Sequence, residues 1–285
     1  MALATDRLGS REEAMWLLEG ASGSTLAGLV LSLGEDAPAE VADRVSEMLA
    51  RRQAGEPLQY VLGTWGFRGI DIRVDPRALI PRPETEVLVD VALAELERFV
   101  AAGAGARCLV ADLGTGSGAI ALALASEAAE MVDEVWATDI SDSALELAGV
   151  NLGRLGDVHP GAAAKLRLAR GSWYEALPSH LAGRFGLITS NPPYVAATEL
   201  DRLPDEVAGW EPVTALLAGP SGMESISAVL LGASRWLAPG GSVVVEIGAG
   251  QAGAAMEISQ EAGFGRSCVC RDLACLPRVL VACLE

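Results

Sequence analysis

The segment Asp112-Leu113-Gly114-Thr115-Gly116-Ser117-Gly118 stands between an apolar run, Cys108 to Asp112, and a helical pattern from about Ser117 to Ala129. Glycines at such a junction let the backbone turn tightly and approach a ligand without a side-chain clash. Strand, glycine turn and helix in succession point to an α/β architecture, and the downstream sequence agrees. Strands are expected at Glu134 to Asp139, Leu166 to Arg170 and Phe185 to Ser190, and at Val243 to Ile247 after the turn Ala238-Pro239-Gly240-Gly241. A helix is expected from Ser141 to about Leu152, and Ser267 to Cys270 with Val279 to Cys283 as a closing antiparallel pair. Short links between alternating elements predict a mostly parallel sheet covered on both faces.

Upstream the texture differs. Ala14, Met15, Leu17 and Leu18 recur at helical spacing within Arg11 to Gly20, as do Val41, Val45, Met48 and Leu49 within Ala39 to Arg52. Trp65, Phe67, Ile70, Ile72 and Val74 alternate loosely and predict a short hairpin. Pro76, Pro81 and Pro83 stiffen its exit into a helix over Glu84 to Val100. The expected boundary lies near residue 75: a helical domain with its hairpin over 1–75, read as a recognition or docking module or as a stabilising appendage, and the α/β domain over 76–285.

Charge narrows the partners. With 21 Lys+Arg against 38 Asp+Glu, the net charge is −17. A chain this acidic is a poor binder of nucleic-acid backbones, which need clustered cations. The longest aliphatic run, Ala119 to Ala125, is far short of the ~20 residues that span a bilayer. Asp6 and Arg7 precede any apolar stretch, so no secretory signal is expected and a cytoplasmic location is. Cys108, Cys268, Cys270, Cys275 and Cys283 form no C-x-x-C pair, and their apolar neighbours Val269, Val281 and Leu284 predict reduced core thiols and no metal site.

The glycine turn reads G-x-G-x-G. It is neither the G-x-G-x-x-G of dinucleotide sites, since residue 119 is alanine, nor a P-loop. Lys and Arg are absent between Arg107 and Arg154, whereas acids recur there. An acidic, glycine-lined pocket suits a cationic, phosphate-free nucleoside, for which S-adenosylmethionine is the common candidate. Asp139 ends the second strand, where a carboxylate can accept from both ribose hydroxyls. Asp112, at the other end of the pocket, is expected to receive the methionine ammonium, directly or through water.

Ser190-Asn191-Pro192-Pro193-Tyr194 follows a further strand and so falls at the ligand-binding edge of the sheet. The Asn191 amide oxygen and the Pro192 carbonyl can accept the two N–H groups of a planar NH₂. The nitrogen's remaining face is then left for a methyl donor. Two prolines fix the backbone, and Tyr194 offers a ring on which a planar group can lie. The pattern fits methylation of planar nitrogen without saying which nitrogen.

Together with Gly55-Glu56-Pro57-Leu58-Gln59-Tyr60 and Leu79-Ile80-Pro81-Arg82-Pro83-Glu84-Thr85-Glu86, these motifs closely resemble the protein-(glutamine-N5) methyltransferases that modify peptide-chain release factors, the PrmC or HemK family. The resemblance runs from about residue 11 to the end. It takes in Ala137 to Ser141, Gly171-Ser172-Trp173-Tyr174, Asp205-Glu206-Val207 with Glu211-Pro212, and Glu246-Ile247-Gly248. It departs from the common family pattern at Ser221-Gly222-Met223, at Ile226-Ser227-Ala228 and in the turn Ala274 to Arg278, outside the methyl-transfer motifs. The resemblance implies an α/β class I, Rossmann-like methyltransferase domain behind a small N-terminal helical domain and a β-hairpin linker. It implies S-adenosylmethionine bound by Gly114, Thr115, Gly116, Ser117, Gly118, Asp139, Ile140, Trp173 and Asn191, with Pro83, Glu84 and Thr85 over its methionine end. It also implies a substrate glutamine held by Asn191, Pro192, Pro193 and Tyr194.

The expected reaction is in-line transfer to the amide of a Gly-Gly-Gln glutamine in a release factor, with S-adenosylhomocysteine leaving. Asn191, Pro192 and Tyr194 are the expected catalytic residues. His159 and His180 fall outside the motifs, so no dedicated base is expected. The same planar site could take the guanidine of free arginine or another small metabolite. Base methylation in nucleic acid fits the motif but not the charge, and a non-enzymatic cofactor-binding scaffold fits neither intact motif.

Overall fold

The computed structural model describes residues 2–31, 36–103 and 107–285. Five helices, Ala2–Leu8, Arg11–Ser22, Leu26–Leu31, Ala39–Gln53 and Leu58–Leu62, come first. Ser10 caps the second by accepting the Glu13 N–H at 3.2 Å, and Gly23 ends it in the left-handed region. Ala14, Leu17, Leu49, Leu58 and Val61 form a small core of their own. Arg52 ties these helices outward, pairing with Glu13 at 3.0 Å and with Glu206 at 3.1 Å.

A hairpin of β1 (Thr64–Phe67) and β2 (Ile70–Arg73) follows, paired Trp65 to Ile72. Trp65 meets Trp16 of the helical segment edge-on, with ring centres 5.9 Å apart. Phe67, Ile72 and Val74 bury in the same core as the main sheet. Asn151 fastens the hairpin to the glycine turn: its Oδ1 accepts the Arg73 N–H at 2.7 Å, while its Nδ2 donates to the carbonyls of Arg73 at 3.1 Å and Ser117 at 2.9 Å.

The main sheet comprises β3 (Cys108–Leu113), β4 (Val132–Asp139), β5 (Leu166–Arg170), β6 (Phe185–Ser190), β9 (Leu237–Glu246), β10 (Arg266–Arg271) and β11 (Pro277–Cys283). A minor parallel pair, β7 (Val195–Ala196) and β8 (Leu217–Gly219), lies between β6 and β9 in the chain. The spatial order is β5-β4-β3-β6-β9-β11-β10, and β11 runs antiparallel to both its neighbours. Strand order reverses between β3 and β6, whose ends align with Leu113 opposite Ser190. That register brings the glycine turn and Asn191 side by side at the switch point of the sheet, where open α/β folds bind ligands.

Helices Pro83–Ala101 and Ala119–Glu127 pack one face, and Glu224–Ala233 with Ala252–Glu261 pack the other. Ala119 to Ala125 is buried along its whole length, so the aliphatic run is a central core helix. None of the described helices is long and apolar enough to cross a membrane.

Three expectations need correcting. Ala238 to Gly241 is not a turn ahead of a strand but a bulge inside β9, because Phe185 pairs with Leu237 and Leu187 with Ser242. The helices over 224–233 and 252–261 were not anticipated, since Gly and Ser interrupt their apolar pattern. The cysteines are not all core thiols: Cys108 and Cys283 are buried, whereas Cys268 and Cys275 are exposed. Cys268 lies on an edge strand and Cys275 at the hairpin tip, where apolar sequence neighbours do not enforce burial.

Candidate active site

The glycine turn, the ends of β4 and β6 and the Arg77 to Pro81 segment enclose a cleft of about 250 Å³. Gly114, Thr115, Gly116, Ser117, Asp139, Ile140, Trp173 and Asn191 all line it. Gly118 does not; at φ 86° it starts the helix behind the turn, which therefore begins at Ala119 rather than Ser117. Gly114 holds φ 71°, in the left-handed region that favours glycine, and a Cβ there would meet the Trp173 ring at 3.5 Å. Trp173 itself holds φ 48°, a conformation costly for a bulky residue. Strain of that kind gathers where a side chain must be aimed at a ligand.

Asp139 is anchored by its own loop. One carboxylate oxygen accepts the Gly116 N–H at 2.9 Å and the other the Ser141 N–H at 2.9 Å, with lone pairs remaining toward the cleft. These residues fit S-adenosylmethionine: a glycine cradle, an aromatic wall and an anionic acceptor at the strand end. Asp112 departs from expectation. It is fully buried and does not line the cleft, and its oxygens accept from the hydroxyls of Thr115 at 2.7 Å and Thr189 at 3.0 Å. Burial pushes its carboxyl up to about 6. Those two hydroxyls tie the carboxylate to the glycine turn and to β6.

A second cavity of about 340 Å³ opens on the far side of Asn191. Leu79, Asn191 and Ala215 belong to both walls. Pro192 and Tyr194 face the second cavity, and Pro193 faces the first. Of the segment expected over the methionine end, only Thr85 lines the first cavity; Glu84 lines the second, and Pro83 is exposed. Glu211 holds that segment down, pairing with Arg82 and accepting the Ile80 N–H at 3.3 Å. Gln251 performs the same office for the Asn191–Tyr194 loop, donating from Nε2 to the carbonyls of Tyr194 at 2.9 Å and Gly222 at 3.0 Å.

The orientation of Asn191 is set by two residues to which the sequence gave no catalytic part. Its Nδ2 donates to Thr85 Oγ1 at 3.2 Å, and that hydroxyl donates to Glu246 Oε2 at 2.7 Å. The amide oxygen is thereby left as the acceptor at the wall between the cavities. Glu246 is buried at the end of β9, and burial pushes its carboxyl up to about 7. The Tyr194 hydroxyl lies 3.5 Å from its other oxygen, and burial pushes that phenol up to about 12. A lone acid closing the apolar run Val243 to Val245 was the available sequence signal for Glu246. Among the described residues no His, Cys, Asp and Glu cluster has the makings of a metal site.

A doubly covered sheet with its glycine turn and Asn191 at one switch point defines a class I methyltransferase. The catalytic domain of human METTL16 shares this fold, with a TM-score of 0.54 over 86% of this chain and 82% of that one at 15% identity. The PrmC N-terminal domain family matches residues 4–63, and the methyltransferase small domain family matches residues 93–204. Release factor glutamine methyltransferase of Gloeobacter violaceus is 38% identical over 93% of this chain and 88% of its own length. Those of Cereibacter sphaeroides and Bordetella pertussis are 39% and 38% identical, over 92% and 94% of this chain and 86% and 93% of theirs. This chain belongs to the release factor glutamine methyltransferase family.

Proposed function

We propose that this enzyme methylates the side-chain amide nitrogen of the glutamine in the Gly-Gly-Gln loop of a peptide-chain release factor, in the cytoplasm. S-adenosylmethionine, held by Gly114 to Ser117, Asp139 and Trp173, supplies an electrophilic methyl on a positively charged sulfur. The observation that carries the reading is Asn191 in the wall shared by the two cavities, its amide nitrogen engaged by Thr85 and its oxygen left to accept.

An amide nitrogen is a weak nucleophile because its lone pair is delocalised into the carbonyl. Asn191 Oδ1 and the Pro192 carbonyl accept its two N–H groups, returning electron density to nitrogen and fixing its approach. Tyr194 supports the planar group, and the rigid Pro192-Pro193 step keeps both acceptors in one plane. Catalysis is then positioning and electrostatics. Residues 1–75 act as the docking module for the protein substrate.

Label transfer from methyl-tritiated S-adenosylmethionine tests this, with a release factor, a short Gly-Gly-Gln peptide and free arginine offered in parallel. Label on the glutamine of the intact factor is expected. Label on arginine with the factor untouched would overturn the substrate.

A further inference from the structure

We propose that Thr85 and Glu246 form a polarity relay that holds the Asn191 amide with its oxygen toward the acceptor nitrogen. The inference rests on the acceptor role given to Asn191 above and adds what enforces it. An asparagine amide has two orientations that differ little in shape, and its hydrogen-bond partners decide between them. A carboxylate only accepts, so the single Thr85 proton is committed to Glu246 at 2.7 Å. The Thr85 oxygen then has only lone pairs to offer, and Asn191 must present Nδ2–H to it at 3.2 Å. Reversing the amide would set two oxygens against each other.

Protonation of Glu246 removes that constraint. A neutral carboxyl donates to Thr85, whose proton turns toward Asn191. The amide then gains by rotating its oxygen onto Thr85. Its NH₂ now faces the NH₂ of the acceptor, donor against donor, and the site is switched off. The groups facing Glu246 pull in both directions. Arg278 on β11 and the Tyr194 hydroxyl favour the carboxylate, whereas burial and Glu84 on the helix opposite favour the acid. Arg82 shares the cavity but is engaged by Glu211. Burial prevails, leaving the carboxyl near neutrality at about 7. Thr85 and Glu246 are thus positioning residues, and the active form carries the charge.

The test compares wild type with Thr85→Val, Thr85→Ser and Glu246→Gln, reading kcat and KM from pH 6 to 9 alongside calorimetric S-adenosylmethionine affinity. Wild-type kcat is expected to fall about tenfold per pH unit below about 7. Thr85→Val should lose about 10- to 100-fold in kcat with cofactor affinity within about threefold, and Thr85→Ser should recover most of that loss. Glu246→Gln should be slower and lack the acid limb. In the cofactor-free protein, the Asn191 side-chain ¹⁵N resonance, assigned by its loss in Asn191→Ala, should shift between pH 6 and 8 in wild type and stay still in Thr85→Val. Wild-type kcat in Thr85→Val, an acid limb surviving Glu246→Gln, or a pH-independent Asn191 resonance overturns the relay. Wild type that labels arginine and not the release factor overturns the substrate instead, and the relay is then read on arginine.

Discussion

One oxygen of the Asp139 carboxylate accepts the backbone N–H of Gly116 at 2.9 Å, so the end of β4 and the glycine turn after β3 are a single hydrogen-bonded unit. The turn is held in shape by the same side chain that is proposed to offer lone pairs to a ribose. Loop and acceptor are built together, and damage to one is damage to both.

Asp139→Ala should therefore weaken S-adenosylmethionine binding about 10- to 100-fold, the equivalent of losing hydrogen bonds to a charged group worth about 1.5–3 kcal/mol. Isothermal calorimetry reads this directly. Affinity within twofold of wild type would place the ribose elsewhere.

Asn191→Ala should reduce turnover by about 100-fold or more. Cofactor binding should survive in part, because the glycine turn, Asp139 and Trp173 remain. Rapid-quench label transfer at saturating cofactor separates the two effects, and unchanged turnover would sink the assignment.

Asn151→Ala should destabilise the fold by about 1–3 kcal/mol, since it leaves the buried Ser117 carbonyl and part-buried backbone groups of Arg73 without this partner. Urea unfolding gives the value. Cofactor affinity should fall as well, because the hairpin then loses its tie to the glycine turn.

Gly186→Ala should cost about 1–3 kcal/mol by overpacking, since its Cβ would lie 2.7 Å from the Phe99 ring and 2.8 Å from Cys108 Sγ. The folded fraction should keep wild-type KM values. This variant separates core damage from site damage in the same assays.

Glu246→Gln should be more stable than wild type at neutral pH, whatever it does to the rate. Burial raises the folded carboxyl from 4.5 to about 7, so the wild-type side chain favours folding below about 4.5 and loses that advantage as pH rises through about 7. Glutamine has no proton to lose. The gap between the two proteins should widen across that window to an order of 2–3 kcal/mol and then level off. Paired urea titrations at pH 5, 6, 7 and 8 measure it, and a gap independent of pH would contradict the assignment.

Apolar runs and glycine punctuation are local signals, so most of the alternation of strand and helix is legible in the chain alone, the helices over 224–233 and 252–261 excepted. Leu166–Arg170 and Phe185–Ser190 fall where the pattern puts them. The sequence also singles out candidate residues at the turn, at Asp139 and at Asn191, since glycine, an acid and a proline-locked amide leave few alternatives. Only the tertiary structure decided how these meet. The register of Leu113 against Ser190 sets the glycine turn beside Asn191. The packing of the Pro83–Ala101 helix against β9 sets Thr85 between Asn191 and Glu246, residues far apart in the chain. The pairing of β3 with β6 buries Asp112 between the hydroxyls of Thr115 and Thr189. Hydrogen-bond partners distant in sequence leave no periodic trace, so the orientation of the Asn191 amide is a property of the fold.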